Sequence, residues 1–243
     1  DSVQSGATIS YALPTLSGLS GDAVSGRSTT SGGMEISLSG NFFGPASQTE
    51  VVAQYGPDGT LTKYSAVSCS VVSQTSITCQ TVAGVGTSLK WRVGIGGQFS
   101  ESLSSPMTSY AVPTITRLGG AAVSASGTTT SGGAEIIITG TNFGPTGQTL
   151  VSAEYGPDAD PDRYAVSSSS CSVVSQTSMT CNTVAGVGGG LKWSVTIGGQ
   201  QSSIFGTGIK YANPVVTSAS VNGAATTIDT SGVIGTKVNL GGS

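Results

Sequence analysis

Leu89-Lys90-Trp91-Arg92-Val93-Gly94-Ile95 alternates large apolar residues with Lys, Arg and Gly, and the alternation returns as Leu191-Lys192-Trp193-Ser194-Val195-Thr196-Ile197. A period of two lines one face of a strand with one set of residues. Each stretch therefore predicts a β-strand that buries its Trp. An exposed Trp acting as a sugar-stacking platform is the alternative, and the three aliphatics in phase with each Trp stand against it. Turn signals such as Gly56-Pro57-Asp58 and Gly96-Gly97 punctuate the chain at short intervals. Short strands between such turns predict a sandwich and not βαβ units.

The recurrence extends far beyond this strand. Ser31-Gly32-Gly33 returns as Ser131-Gly132-Gly133, Tyr55-Gly56-Pro57-Asp58 as Tyr155-Gly156-Pro157-Asp158, and Cys69 to Ser100 matches Cys171 to Ser202 at 25 of 32 positions. The offset drifts only from 99 to 102, which places the insertions in loops. Tyr11-Ala12-Leu13-Pro14, Tyr110-Ala111-Val112-Pro113 and Tyr211-Ala212-Asn213-Pro214 mark the junctions, with no linker between a closing Tyr and the next Pro. Two complete copies are expected, at 12–110 and 111–211. Residues 1–11 resemble the closing strand of a preceding copy. Residues 212–243 resemble the opening strands of a following one, since Gly235-Thr236-Lys237-Val238-Asn239-Leu240-Gly241-Gly242 repeats the pattern of 133–140. The expected architecture is all-β, tandem immunoglobulin-like sandwiches in a rod, cut from a longer array. Proline at each junction fixes φ and restrains its predecessor, so the junctions should be semi-rigid. Strands of about ten residues would give each copy a length of roughly 35–45 Å. Alternatively, the partial ends complete one another between chains and build a filament by strand exchange.

Composition narrows the function classes. Thirty-seven Gly among 243 residues suit turns, while only 9% charge and plentiful Val, Ile and Thr argue against disorder. A net charge of −3 with nine scattered Lys and Arg offers no stripe for nucleic acid and no cationic amphipathic segment for a membrane surface. Apolar runs such as Ile136-Ile137-Ile138 fall far short of the roughly 20 residues of a membrane span. The chain opens on Asp1 with no apolar leader, so any signal peptide is expected to have been removed or to lie outside this piece.

Gly132-Gly133-Ala134-Glu135-Ile136-Ile137-Ile138-Thr139-Gly140-Thr141-Asn142-Phe143-Gly144 resembles the signature opening of the TIG/IPT family. Cys171 and Cys181 before Thr183-Val184-Ala185-Gly186, then a hydrophobic strand, a Gly-Gly hairpin and a closing Tyr before Pro, extend the resemblance over both copies. Copy one departs at Phe42, which stands where copy two has Asn142. Ala83 and Ala185 stand where family members often carry Pro. The resemblance implies an immunoglobulin-like sandwich of the kind used in plexin and hepatocyte-growth-factor-receptor ectodomains and in surface proteins of protists and algae. It also covers modules beside starch-processing enzymes and dimerisation domains of intracellular transcription factors. The missing basic surface and the cysteines disfavour the last class.

The four Cys lie two per copy, ten residues apart. A hairpin turning near Gln74 brings Cys69 opposite Cys79 across antiparallel strands, and Cys171 opposite Cys181 likewise, within bridging distance. Closing so short a loop is worth about 3 kcal/mol on the chain-entropy reckoning. A metal centre would need these distant pairs to meet, and the chain has no His. Two bridges imply an oxidising, extracellular compartment or the cell surface. No Asn-x-Ser/Thr sequon is present, whereas the runs Ser28-Thr29-Thr30, Thr128-Thr129-Thr130 and Ser167-Ser168 are candidates for O-linked sugar or are plain polar loops.

Without His the commonest general base is missing, and bridged cysteines are not nucleophiles. Glu35 and Glu135 occupy equivalent positions in separate copies and find no second carboxylate, so a glycosidase pair is not expected. The remaining candidate is Asp158-Ala159-Asp160-Pro161-Asp162, whose alternating carboxylates suit a hard cation such as calcium, although copy one keeps only Asp58. A solvated acidic loop is the alternative. No cofactor is expected. The sequence points to a non-catalytic structural or adhesive module of an extracellular filament, coat or surface protein, with other copies of itself as partners. A receptor-like or carbohydrate-binding ectodomain, with glycans or surface proteins as partners, is the alternative.

Overall fold

The computed structural model describes residues 10–25, 27–46, 50–147, 150–221, 224–225 and 238–242. Of the closing segment expected over 1–11 only Ser10 and Tyr11 are among them, and the rest lies outside the described residues. Most of 222–237 lies outside them too.

The first sandwich comprises β1 (Thr15–Ser20), a single helical turn α1 (Asp22–Ser25), β2 (Glu35–Asn41), β3 (Val51–Gly56), β4 (Tyr64–Ser65), β5 (Val67–Ser73), β6 (Ser76–Gln80), β7 (Leu89–Ile95), β8 (Gln98–Phe99) and β9 (Leu103–Thr108). One antiparallel sheet runs β1-β2-β6-β5. The other runs β4-β3-β7-β8, with β9 also paired to β7. The second sandwich comprises β10 (Thr114–Gly119), β11 (Glu135–Thr141), β12 (Val151–Gly156), β13 (Tyr164–Val166), β14 (Cys171–Ser175), β15 (Ser178–Asn182), β16 (Leu191–Ile197), β17 (Gln200–Gln201) and β18 (Phe205–Ile209). Its sheets run β10-β11-β15-β14 and β13-β12-β16-β17, with β18 on β16, the same order strand for strand. Beyond them β19 (Val216–Val221), β20 (Ala224–Ala225) and β21 (Val238–Gly242) form a three-stranded sheet in the order β20-β19-β21.

The fold is all-β and immunoglobulin-like, with almost no helix. Its cause is visible in β7, where Leu89, Trp91 and Val93 are buried while Lys90 and Arg92 reach the surface. Removing each such side chain from water contributes on the order of 2 kcal/mol, which makes the register of the strand costly to change. Phe43 and Phe143 plug the sandwiches beneath β1 and β10. Gly40 and Gly140 let the first strand pass directly over them: a Cβ at either position would stand 1.8 Å from the carbonyl oxygen of Thr15 or Thr114. Among the described residues no strand exceeds seven residues, about 23 Å at 3.3 Å per residue. The sequence-based expectation of ten-residue strands is corrected accordingly, because Gly-rich turns interrupt the alternation earlier.

Candidate functional site

Trp91 and Trp193 lie wholly within the cores, which removes them as sugar platforms. Tyr55 stacks on Trp91 with ring centroids 4.1 Å apart, and Tyr155 on Trp193 at 4.2 Å. A closed hydrogen-bond circuit locks each cluster to the loop after β6 or β15. Val82 N–H donates to the Tyr55 hydroxyl at 2.9 Å, Tyr55 and Tyr110 share a 2.8 Å bond, and the Tyr110 hydroxyl donates to the Val82 carbonyl at 2.6 Å. Val184, Tyr155 and Tyr211 repeat the circuit. Burial raises all four of these phenols above their ordinary value. The closing Tyr of each repeat is thus an internal staple between the last strand and the second hairpin, not a reactive group.

The two sandwiches differ at a buried contact of the Trp ring. Trp91 Nε1 donates to Thr108 Oγ1 at 2.8 Å. In the second sandwich Ile209 stands in the place of Thr108, and Trp193 Nε1 is buried without an acceptor.

Both cysteine pairs are bridged, with Cα atoms 4.1 Å apart in each. Cys171 faces Cys181 directly in the β14–β15 ladder. In the first sandwich a bulge at Ser68, at φ +52°, shifts the register between Val67 and Ser70 beside Cys69. The acidic loop does not gather a ligand set: Asp158 pairs with Lys192 and Asp160 with Arg163 at 2.9 Å, and no cluster of metal-binding groups exists among the described residues. Lys90 does the same for Asp58 at 2.8 Å, and its hydrogen bond holds that carboxyl below the usual range. Glu35 and Glu135 are exposed at the starts of β2 and β11. Of the candidate sugar acceptors, Thr29, Thr129, Thr130, Ser167 and Ser168 are exposed. Ser28, Thr30 and Thr128 are buried at 2–3% exposure, so the expectation of sugar on these three is corrected. Their segment pairs with the junction: Ser28 N–H donates to Ser109 O, and Ala111 N–H to Ser28 O, both at 2.8 Å.

A set of polar contacts lies where the two sandwiches meet. Gln176, at the tip of the β14–β15 hairpin, bonds to both the hydroxyl and the carbonyl of Thr30, at 2.5 and 2.9 Å. Gln200, at the start of β17, donates to the Tyr110 carbonyl at 3.0 Å while its own side chain is buried. Val85, from the first sandwich, joins the hydrophobic core of the second and packs over Gly198. Asn142, at φ +63°, donates to the Val112 carbonyl at 3.0 Å and ties the junction to the β11 turn. Phe42 holds the same backbone conformation in the first sandwich, at φ +64°, but is 55% exposed. Sequence reasoning missed this joint. Gln176 and Gln200 recur as Gln74 and Gln98, but recurrence alone does not say which repeated residues face one another.

Comparisons place the second sandwich. The IPT/TIG domain family model matches residues 121–212, and no curated protein matches the chain. Among solved structures, the chain is similar to the surface glycan-binding protein PbSGBP-B from Prevotella bryantii, at 12% identity over 81% of this chain and 42% of that one, TM-score 0.49. It is also similar to the plexin A4 extracellular region, at 16% identity over 86% of this chain and 16% of that one, TM-score 0.34. A third is SGBP-B from a complex xyloglucan utilization locus in Bacteroides uniformis, at 18% identity over 80% and 49%, TM-score 0.31. The chain spans less than half the length of each. Residues 121–212, the second sandwich, are thus similar to the IPT/TIG domain family.

Proposed function

We propose that the chain is a non-catalytic structural or adhesive segment of an extracellular filament, coat or cell-surface protein, in which modules at 12–110 and 111–211 are packed in series and act through their surfaces. The observation that carries this reading is the joint. Thr30, Val85 and the Tyr110 carbonyl of one sandwich are held by Gln176, Gly198 and Gln200 of the next, so the modules meet through side-chain contacts as well as the peptide link. Two disulfides support an oxidising compartment. Asp158 and Asp160 of the acidic loop, and Asp58 in its counterpart, are drawn into ion pairs with Lys192, Arg163 and Lys90, which suits a surface better than a site of acid–base chemistry.

One observation favours the alternative, a ligand-binding ectodomain. At the head of the first sandwich a cleft of about 770 Å³ is lined by Tyr11, Phe42, Gln74 and Gln98, with two exposed aromatic rings beside two amides. Screening the chain against an array of plant and microbial glycans, followed by calorimetry on any positive, separates the readings. The structural reading expects no saturable binding. Saturable micromolar binding, lost in Tyr11→Ala and Phe42→Ala, would replace it with the alternative.

A further inference from the structure

The chain enters the first sandwich at one end and leaves it at the other. Pro14 lies with Phe42, Gln74 and Gln98 at the head, whereas Tyr110 leaves at the joint with the second sandwich, where Thr30 and Val85 also sit. Tension along the chain therefore runs along the strands. Ladder hydrogen bonds lie across antiparallel strands, so such a pull loads many of them at once in shear and cannot open them one at a time.

The entering and leaving segments are themselves paired. Ser28, beyond β1, bridges Tyr110, beyond β9, in parallel. Ser28 N–H donates to Ser109 O and Ala111 N–H to Ser28 O, both at 2.8 Å. Thr128 bridges Tyr211 in the same way through Lys210 O and Ala212 N–H, again at 2.8 Å. A pull on the chain draws the entering segment toward the head and the leaving segment toward the joint, so these parallel partners must slide past one another and both bonds must break together. Ser28 and Thr128 are only 2% and 3% exposed, so water does not replace the bonds as they stretch. Tyr110 is fastened at each of its other polar groups as well. Its N–H donates to Gly86 O at 2.8 Å, its hydroxyl belongs to the circuit with Tyr55 and Val82, and its carbonyl accepts from Gln200 of the second sandwich at 3.0 Å.

We infer that each sandwich is a load-bearing element in which the Ser28–Tyr110 or Thr128–Tyr211 pairing is a shear clamp, so that the modules resist extension along the chain far more than across it. The inference rests on the structural reading above and gives it a mechanical task. Forced unfolding is governed by the barrier to the first rupture and not by equilibrium stability, so the clamp is separable from the cores by experiment.

The test is single-molecule extension of the full chain between handles at its two ends, which should show two rupture events. A reductant should lengthen each event by about 30 Å, the reach of the ten-residue separation within each bridge, which identifies the events as the two sandwiches. Handles attached instead through Ser65→Cys on β4 and Glu101→Cys beyond β8, both exposed and at opposite edges of one sheet, pull the first sandwich across its strands and should rupture it at a severalfold lower force. Ser28→Pro deletes one clamp donor and should lower one of the two end-to-end events about twofold, leaving the cross-strand force as it was. Ser28→Ala keeps both backbone bonds and should change neither. Equal forces in the two directions overturn the inference, as does an end-to-end force that Ser28→Pro leaves unchanged. The comparison of directions alters nothing in the clamp, so it decides even where Ser28→Pro fails to fold. Either failure, with regular strands under electron microscopy, leaves the structural reading standing; a strong difference between directions in a protein that forms no strands removes that reading and keeps the clamp.

Discussion

At the scale of single residues the two copies serve as controls for one another. Trp91 has an acceptor in Thr108 and Trp193 has none, because Ile209 replaces it. A buried donor left unpaired costs about 1–3 kcal/mol. Thr108→Val should therefore lower the stability of the first sandwich by about that amount, and Ile209→Thr should stabilise the second by about 1 kcal/mol. Urea titrations followed by Trp fluorescence measure both. The Ser28 and Thr128 hydroxyls are also buried without partners, so Ser28→Ala and Thr128→Val should leave the denaturation midpoint unchanged or raise it. Asn142 and Phe42 share a left-handed backbone, but only Asn142 reaches a carbonyl across the junction. That difference was legible in the sequence as a departure from the family pattern, though its bonding partner was not.

Among elements, the second hairpin of each sandwich carries the disulfide and the loop that the tyrosine circuit grips. Cys69→Ser with Cys79→Ser should cost about 3 kcal/mol on the chain-entropy reckoning, read as a lower Tm in calorimetry. The circuit makes stability sensitive to base. Burial raises Tyr55, Tyr110, Tyr155 and Tyr211 above 10.0 in the folded state. The unfolded chain releases these protons near 10, while the folded chain keeps them. Their contribution is complete below that pH and is lost progressively as pH rises through and beyond it. Thermal melts by circular dichroism should be level from about pH 7 to 9 and fall steeply above about 10. Period-two alternation made β7 and β16 legible, since one buried face requires it. Short strands such as β4, β8 and β17 were illegible, because two residues cannot show a period. The helical turn α1 likewise lacks the length to display one.

For the whole molecule, the proposed function rests on how the sandwiches are joined. The class of fold was readable because strand alternation and turn residues agree, and the absence of His was readable directly. The joint was not, because a Gln at a hairpin tip looks like any exposed polar residue until the facing Thr30 is known. Val85→Asp should uncouple the sandwiches. Calorimetry should then show two separate transitions where the native chain shows coupled unfolding, with each sandwich core intact by near-ultraviolet dichroism. The central claim is that the protein works as modules in series and not through a catalytic or ligand site. Electron microscopy of the protein purified in its native assembly tests that claim most directly. The account predicts continuous strands with a regular axial repeat; dispersed single particles with no axial repeat would contradict it.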